Sequence, residues 1–188
     1  MWTRFLTASS LVLALTSPAV AQTNVLPPMP PQTALQIFRS VQRQVLTYPH
    51  FTVFDSINAN VKDGVVTLTG KVTMGFKRKD LEERVSSIKG IKGVNNQIEV
   101  LPASQMDDEL RNGIANAIYG NSAFANYANQ VNPPIHIVVE RGRVVLEGVV
   151  ANNVDRALAY SIASRFQAFS VKNALRTEEE VKKELAGL

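Results

Sequence analysis

His50 and His136 are the side chains best suited to acid–base or metal chemistry, and the chain of 188 residues contains no cysteine to help them. A metal needs several ligands converging at fixed geometry. His50 follows Tyr48-Pro49 at a helix end, and His136 lies in a strand on the face opposite Ile135 and Ile137, so both read as surface or capping histidines. The lack of cysteine removes disulfides, thiolate metal sites, a cysteine nucleophile and a lipid-modified cysteine anchor together. The acidic groups Asp80/Glu82/Glu83, Asp107/Asp108/Glu109 and Glu178/Glu179/Glu180 fall at or near helix starts, where they suit the helix dipole. No glycine-rich loop precedes a helix with phosphate-binding spacing. This inventory predicts no enzyme, no cofactor and no metal.

The basic residues are more informative. Residues 22–103 carry ten Lys/Arg against six Asp/Glu, and residues 104–188 carry nine against ten. The first half is therefore the cationic one. Its charge gathers at Lys71, Lys77, Arg78 and Lys79, with Lys89 and Lys92 further on, and Met74-Gly75-Phe76 leads into the triple basic run. An apolar tip beside adjacent cations is the pairing expected of a peripheral membrane contact. The candidate lipid-binding residues are Met74, Phe76, Lys77, Arg78, Lys79, Lys89 and Lys92, the first five on a loop at 74–79. Nucleic acid is a poor partner, because few cations cluster and the chain reads as exported.

The elements that position these residues come in order along the chain. Arg4, the apolar run from Phe5 to Leu15 and Ala19-Val20-Ala21 read as a cleaved signal peptide over 1–21. The apolar run is short of the ~20 residues needed to span a bilayer. A linker over 22–33 holds Pro27, Pro28, Pro30 and Pro31, which bias the backbone to an extended form. Beyond it, Val61-Lys62-Asp63-Gly64-Val65-Val66-Thr67-Leu68-Thr69-Gly70-Lys71-Val72 aligns without a gap on Val139-Glu140-Arg141-Gly142-Arg143-Val144-Val145-Leu146-Glu147-Gly148-Val149-Val150. A repeat this long implies tandem domains, here 34–101 and 106–177, with a helical tail at 178–188 opened by the capping box Thr177-Glu178-Glu179-Glu180.

Each copy reads helix, strand, strand, helix, strand. Leu35, Phe38, Val41, Val45 and Leu46 make one helical stripe in the first copy, and Leu81, Val85 and Ile88 make another. Ile57, Ala59 and Val61 alternate as a strand, and Asp63-Gly64 supplies a tight hairpin turn. The second copy repeats this with Leu110, Ile114, Ala117 and Ile118, then Ile135, Ile137 and Val139, then Val154, Leu158, Ile162 and Phe166. A hairpin followed by a helical crossover gives an α+β fold: two αββαβ domains, each a small mixed three-stranded sheet with two helices on one face. Val138, Val145 and Val149 crowd the helix-free face of the second sheet, which predicts that this face packs against the other domain.

The paired G-x-V-x-L-x-G-x-V signature, followed by a helix and a Val-x-Asn-x-Ile/Leu strand, resembles the BON (bacterial OsmY and nodulation) domain. The first copy keeps Gly90-Ile91-Lys92-Gly93-Val94, similar to a stretch of that family. The second has Gln167-Ala168-Phe169-Ser170 there and an insertion over 121–134. The resemblance implies a non-enzymatic module of the cell envelope, periplasmic and peripheral, that binds anionic phospholipid surfaces and contributes to envelope integrity or stress tolerance. The alternative reading is a module that docks on another envelope protein, with no direct lipid binding. The second copy has Ala151-Asn152-Asn153-Val154 where the first has its aromatic and cations, so it reads as a scaffold.

Overall fold

The computed structural model describes residues 33–186, so the signal peptide expected over 1–21 and nearly all of the proline-rich linker lie outside the described residues. The first repeat runs α1 (Ala34–Leu46), β1 (Ser56–Lys62), β2 (Val65–Val72), α2 (Gly75–Ser86) and β3 (Gly93–Val100). The second runs α3 (Gln105–Tyr119), a 3-10 turn (Ser122–Phe124), α4 (Ala125–Ala128), β4 (Ile135–Glu140), β5 (Arg143–Val150), α5 (Asn153–Ala163) and β6 (Ser170–Thr177), and α6 (Glu178–Ala186) closes the chain. In each sheet the middle strand pairs antiparallel with its predecessor and parallel with its successor. This is the expected mixed sheet. No described helix is long and apolar enough to cross a membrane.

Local chemistry sets these elements. Thr33 and Gln36 form a reciprocal capping box that starts α1, and Thr177 and Glu180 do the same for α6. Asp63 and Gly64 take φ of 52° and 82°, and Arg141 and Gly142 take 50° and 71°, so both hairpins turn through two left-handed residues. The α1 stripe differs from the expected one. Ile37, Val41 and Val45 are buried at four-residue steps, whereas Leu35, Phe38 and Leu46 are exposed. Two apolar flanks compete on this helix, and the one that meets Val66, Leu68, Leu81 and Val85 goes inside.

The repeats meet along a seam. The Ile137 N–H on β4 donates to the Val53 carbonyl at 2.7 Å, and Asn132 donates to the Leu46 carbonyl at 2.9 Å. Phe54 from the first repeat packs on the second core. Lys71 pairs with Glu140, and Ser56 donates to Glu147. The helix-free faces of the two sheets line a cleft of ≈ 500 Å³, with Ser56, Thr69 and Lys71 on one side and Val138, Val145 and Glu147 on the other. Val138 is only 5% exposed, and Val145 and Val149 are half-buried. The valine-rich face thus turns toward the other repeat, as its composition predicts.

That seam also changes the reading of His136. It does face away from Ile135 and Ile137, but it is half-buried there and not freely exposed. Its ring lies 5.2 Å from that of Phe51, and its Nδ1 has no hydrogen-bond partner. Burial lowers its pKa, against the opposing influence of the Thr52 and Asp55 backbone and the Asp55 and Glu147 charges. A histidine held neutral in the fold takes up its proton more readily unfolded, so stability falls as pH drops below the ordinary value near 6.5. His136→Gln is expected to flatten the dependence of the urea midpoint on pH between 7 and 5. An unchanged slope would show that His136 is not the group responsible.

Candidate functional site

Residues 74–79 are not a loop. Met74 is the N-cap of α2, and Phe76, Lys77, Arg78 and Lys79 form its first turn. Helical geometry separates them, because positions four apart share a face. Lys77 therefore aligns with Leu81 and Val85, all three of which are buried.

Lys77 is 4% exposed, and its ammonium donates to Asp55 Oδ2 and Thr73 Oγ1, both at 2.7 Å. Asp55 is wholly buried. Its Oδ1 accepts from the Thr73 N–H at 2.8 Å, and its Oδ2 accepts from the Thr52 N–H at 2.9 Å and the Thr52 hydroxyl at 2.8 Å. Burial pushes the Asp55 carboxyl up, but Lys77, Thr73 and Thr52 together outweigh it and hold it below the ordinary carboxylate range. Lys77 is therefore a structural cation that ties α2 to the segment before β1. It does not face a ligand, which corrects the expectation drawn from its basic neighbours.

The remaining members stay outside. Met74 is 55% exposed and Phe76 47%. Arg78 and Lys79 are exposed, Lys79 lying 3.6 Å from Glu83 one turn on. No side chain caps this end of α2, where the Lys77 N–H donates to the Met74 carbonyl at 3.2 Å. His50, read from sequence as a surface or capping residue, is exposed and extends the apolar patch. Its ring stands edge-on to Phe76 and to Tyr48, with centroids 5.5 Å apart in both cases. Tyr48 is itself buried under Arg84, and burial followed by its 2.6 Å hydrogen bond to Asp80 raises its pKa, so the phenol stays protonated.

Lys89 and Lys92 are exposed but lie past the other end of α2. A helix of that length is about 18 Å long, so they do not widen the positive face around Phe76. The Lys92 N–H donates to the Gly64 carbonyl at 2.8 Å, which places it against the β1–β2 hairpin. The seven residues singled out from sequence thus divide into one buried, four together at the start of α2, and two at the opposite end of the repeat.

Among the described residues no group of three or more His, Asp or Glu could hold a metal ion. Four of the six charged side chains that line the cleft are engaged: Lys71 bridges Glu140 and Glu99, and Glu147 accepts from Ser56, while Arg141 and Arg143 have no ion-pair partner among the described residues.

Comparison with known proteins gives one family. The BON domain matches twice, over residues 35–102 and 121–185, together well over half of the chain. No curated protein matches. Among solved structures the chain is similar to the C-terminal domain of CdsD, a structural protein of the type III secretion system of Chlamydia trachomatis. The identity there is 18% and the TM-score 0.33, over 83% of this chain and 71% of that one. A second CdsD structure from the same organism is similar at 14% identity and a TM-score of 0.27, over 80% of this chain and 97% of that one.

Proposed function

The chain belongs to the BON-domain family, and we propose that it is a non-catalytic, peripheral module of the cell envelope that contacts anionic phospholipid, in support of envelope integrity or stress tolerance. The observation that carries this reading is the start of α2. Two large apolar side chains, Met74 and Phe76, stand in solvent beside two outward cations, Arg78 and Lys79, at a helix end whose amides lack a side-chain cap. Apolar rings enter the headgroup boundary, cations near an anionic surface contribute about 1 kcal/mol each, and uncapped helix amides suit phosphate oxygens. Two such charges and one ring give weak, reversible, salt-sensitive attachment.

The test compares wild type with Phe76→Ser and with Arg78→Gln/Lys79→Gln in co-sedimentation with vesicles containing anionic lipid. Lys77 is left in place, since its loss would disturb the fold itself. Each variant is expected to lower the bound fraction several-fold while leaving the circular dichroism spectrum unchanged. Equal sedimentation of wild type and both variants would remove the start of α2 as the contact.

A further inference from the structure

The β4–β5 hairpin end of the second repeat presents an exposed aromatic ring. Phe169 is 82% exposed, yet its backbone is fixed. Its N–H donates to the Gly142 carbonyl at 2.8 Å, and its ring covers Gly142 so closely that an added Cβ there would come within 2.6 Å of it. The turn beneath is clamped in turn by Asp107. That carboxylate is 1% exposed and accepts from the Arg141 and Gly142 N–H groups, both at 2.7 Å. A large apolar ring is therefore held facing water on a rigid mount.

The charges around it are one-sided. Arg143 starts β5 opposite Ser170 of β6, Lys172 shares the helix-free face two positions along, and Arg165 follows the end of α5, so all three gather at this end with Arg141. All four are exposed, Arg141 and Arg143 also lining the cleft between the sheets, and none has an ion-pair partner among the described residues. The nearby acids are already engaged: Asp107 with the turn, Asp108 with Arg111 at 3.1 Å, and Glu140 with Lys71. The first repeat differs at the same place, where the N–H of Lys92 meets the Gly64 carbonyl and the aliphatic stem of Lys92 lies over the glycine.

We propose that this end of the second repeat is a second contact for an anionic bilayer, with Phe169 entering the headgroup boundary and Arg141, Arg143, Arg165 and Lys172 facing lipid phosphates. A fixed, exposed ring beside unpaired cations of one sign suits a bilayer surface. The proposal rests on the membrane reading of the chain but not on the start of α2, and it gives the second repeat a role beyond scaffolding.

Because the chain has no cysteine, a single introduced thiol can be labelled uniquely with a polarity-sensitive fluorophore. With the full chain, a label at Phe169→Cys is expected to shift to shorter wavelength on vesicles containing anionic lipid and to stay unchanged on neutral ones. A label at Tyr160→Cys on α5 is expected to respond to neither. Each cation near such a surface multiplies binding by about fivefold, so Arg141→Gln/Arg143→Gln/Arg165→Gln/Lys172→Gln is expected to cut the bound fraction at least tenfold with an unchanged circular dichroism spectrum. Wild type that sediments while the quadruple variant sediments equally and the label at 169 stays silent would overturn this contact and leave the α2 reading standing. Wild type that sediments with no vesicle would overturn both, and a tip that responds only to added envelope protein would reassign it to a protein partner.

Discussion

Gly70→Ala is expected to destabilise the first repeat by about 3–5 kcal/mol, and Gly148→Ala the second by a similar amount. Both glycines sit mid-strand with φ of +119° and +121°, a region that costs L-residues of order 1–3 kcal/mol. Space compounds the strain. A Cβ at Gly70 would lie 2.0 Å from the Ser56 carbonyl oxygen, and one at Gly148 would lie 1.8 Å from that of Pro134. These oxygens belong to backbone, so the strands themselves would have to part. Gly75 and Gly93 are the internal controls, because nothing lies within 4 Å of a Cβ at either. Urea unfolding of the four alanine variants checks this, and a Gly70→Ala midpoint no lower than that of Gly93→Ala would refute it.

Lys77→Ala is the second large loss. It strands the Asp55 carboxylate in a site with no solvent exposure, and breaking a buried pair by removing one partner costs about 3–5 kcal/mol. Asp55→Ala is expected to cost as much, because the Thr52 and Thr73 amides lose their acceptor as well. The double variant should lose clearly less than the sum of the two, since the residues act as one unit. The pH dependence follows from the lowered Asp55 pKa. The unfolded carboxyl titrates near 3.9, so the stabilisation is complete above that value and is lost as pH falls through the lower folded one. Additive losses in the double variant would show that the pair is not coupled.

Much of this architecture is legible in the residues because it depends on short-range periodicity. Alternation in Ile57-Asn58-Ala59-Asn60-Val61, the Asp63-Gly64 turn and the second copy of both at a fixed offset suffice for two mixed sheets. What covers a face is not a local property. Alternation places His136 opposite Ile135, but it is a long-range contact with Phe51 that helps half-bury it. The α1 flank of Leu35 and Phe38 is as apolar as that of Ile37 and Val41, and packing against β2 decides between them. Residues 74–79 look like a loop because Gly75 and three cations weaken the helical signal. The four-residue step Lys77–Leu81–Val85 was the available clue that Lys77 points inward. The insertion over 121–134 also carries more than its composition suggests: Phe124 is fully buried, and the Tyr127 hydroxyl donates to Asp155 at 2.6 Å and accepts from the Ala151 N–H at 2.8 Å.

The same comparison narrows the candidate site. Clustering in sequence grouped Lys77 with Arg78 and Lys79, whereas the fold assigns the first to stability and leaves the others for contact. Lys89 and Lys92 belong to the hairpin end of the repeat, where Phe169 stands in the second copy. Binding variants that include Lys77 would therefore confuse unfolding with lost affinity.

The central claim is attachment to anionic bilayers without chemistry, and the salt dependence of wild-type co-sedimentation tests it most directly. Surface charges are screened over a Debye length of about 30 Å at 0.01 M salt and about 8 Å at 0.15 M. The chain is expected to pellet with vesicles containing anionic lipid at low salt, to be released progressively as salt rises, and to remain in solution with purely zwitterionic vesicles throughout. Equal pelleting with both kinds of vesicle, or none with anionic vesicles at the lowest salt, would contradict the account and favour an envelope protein as partner.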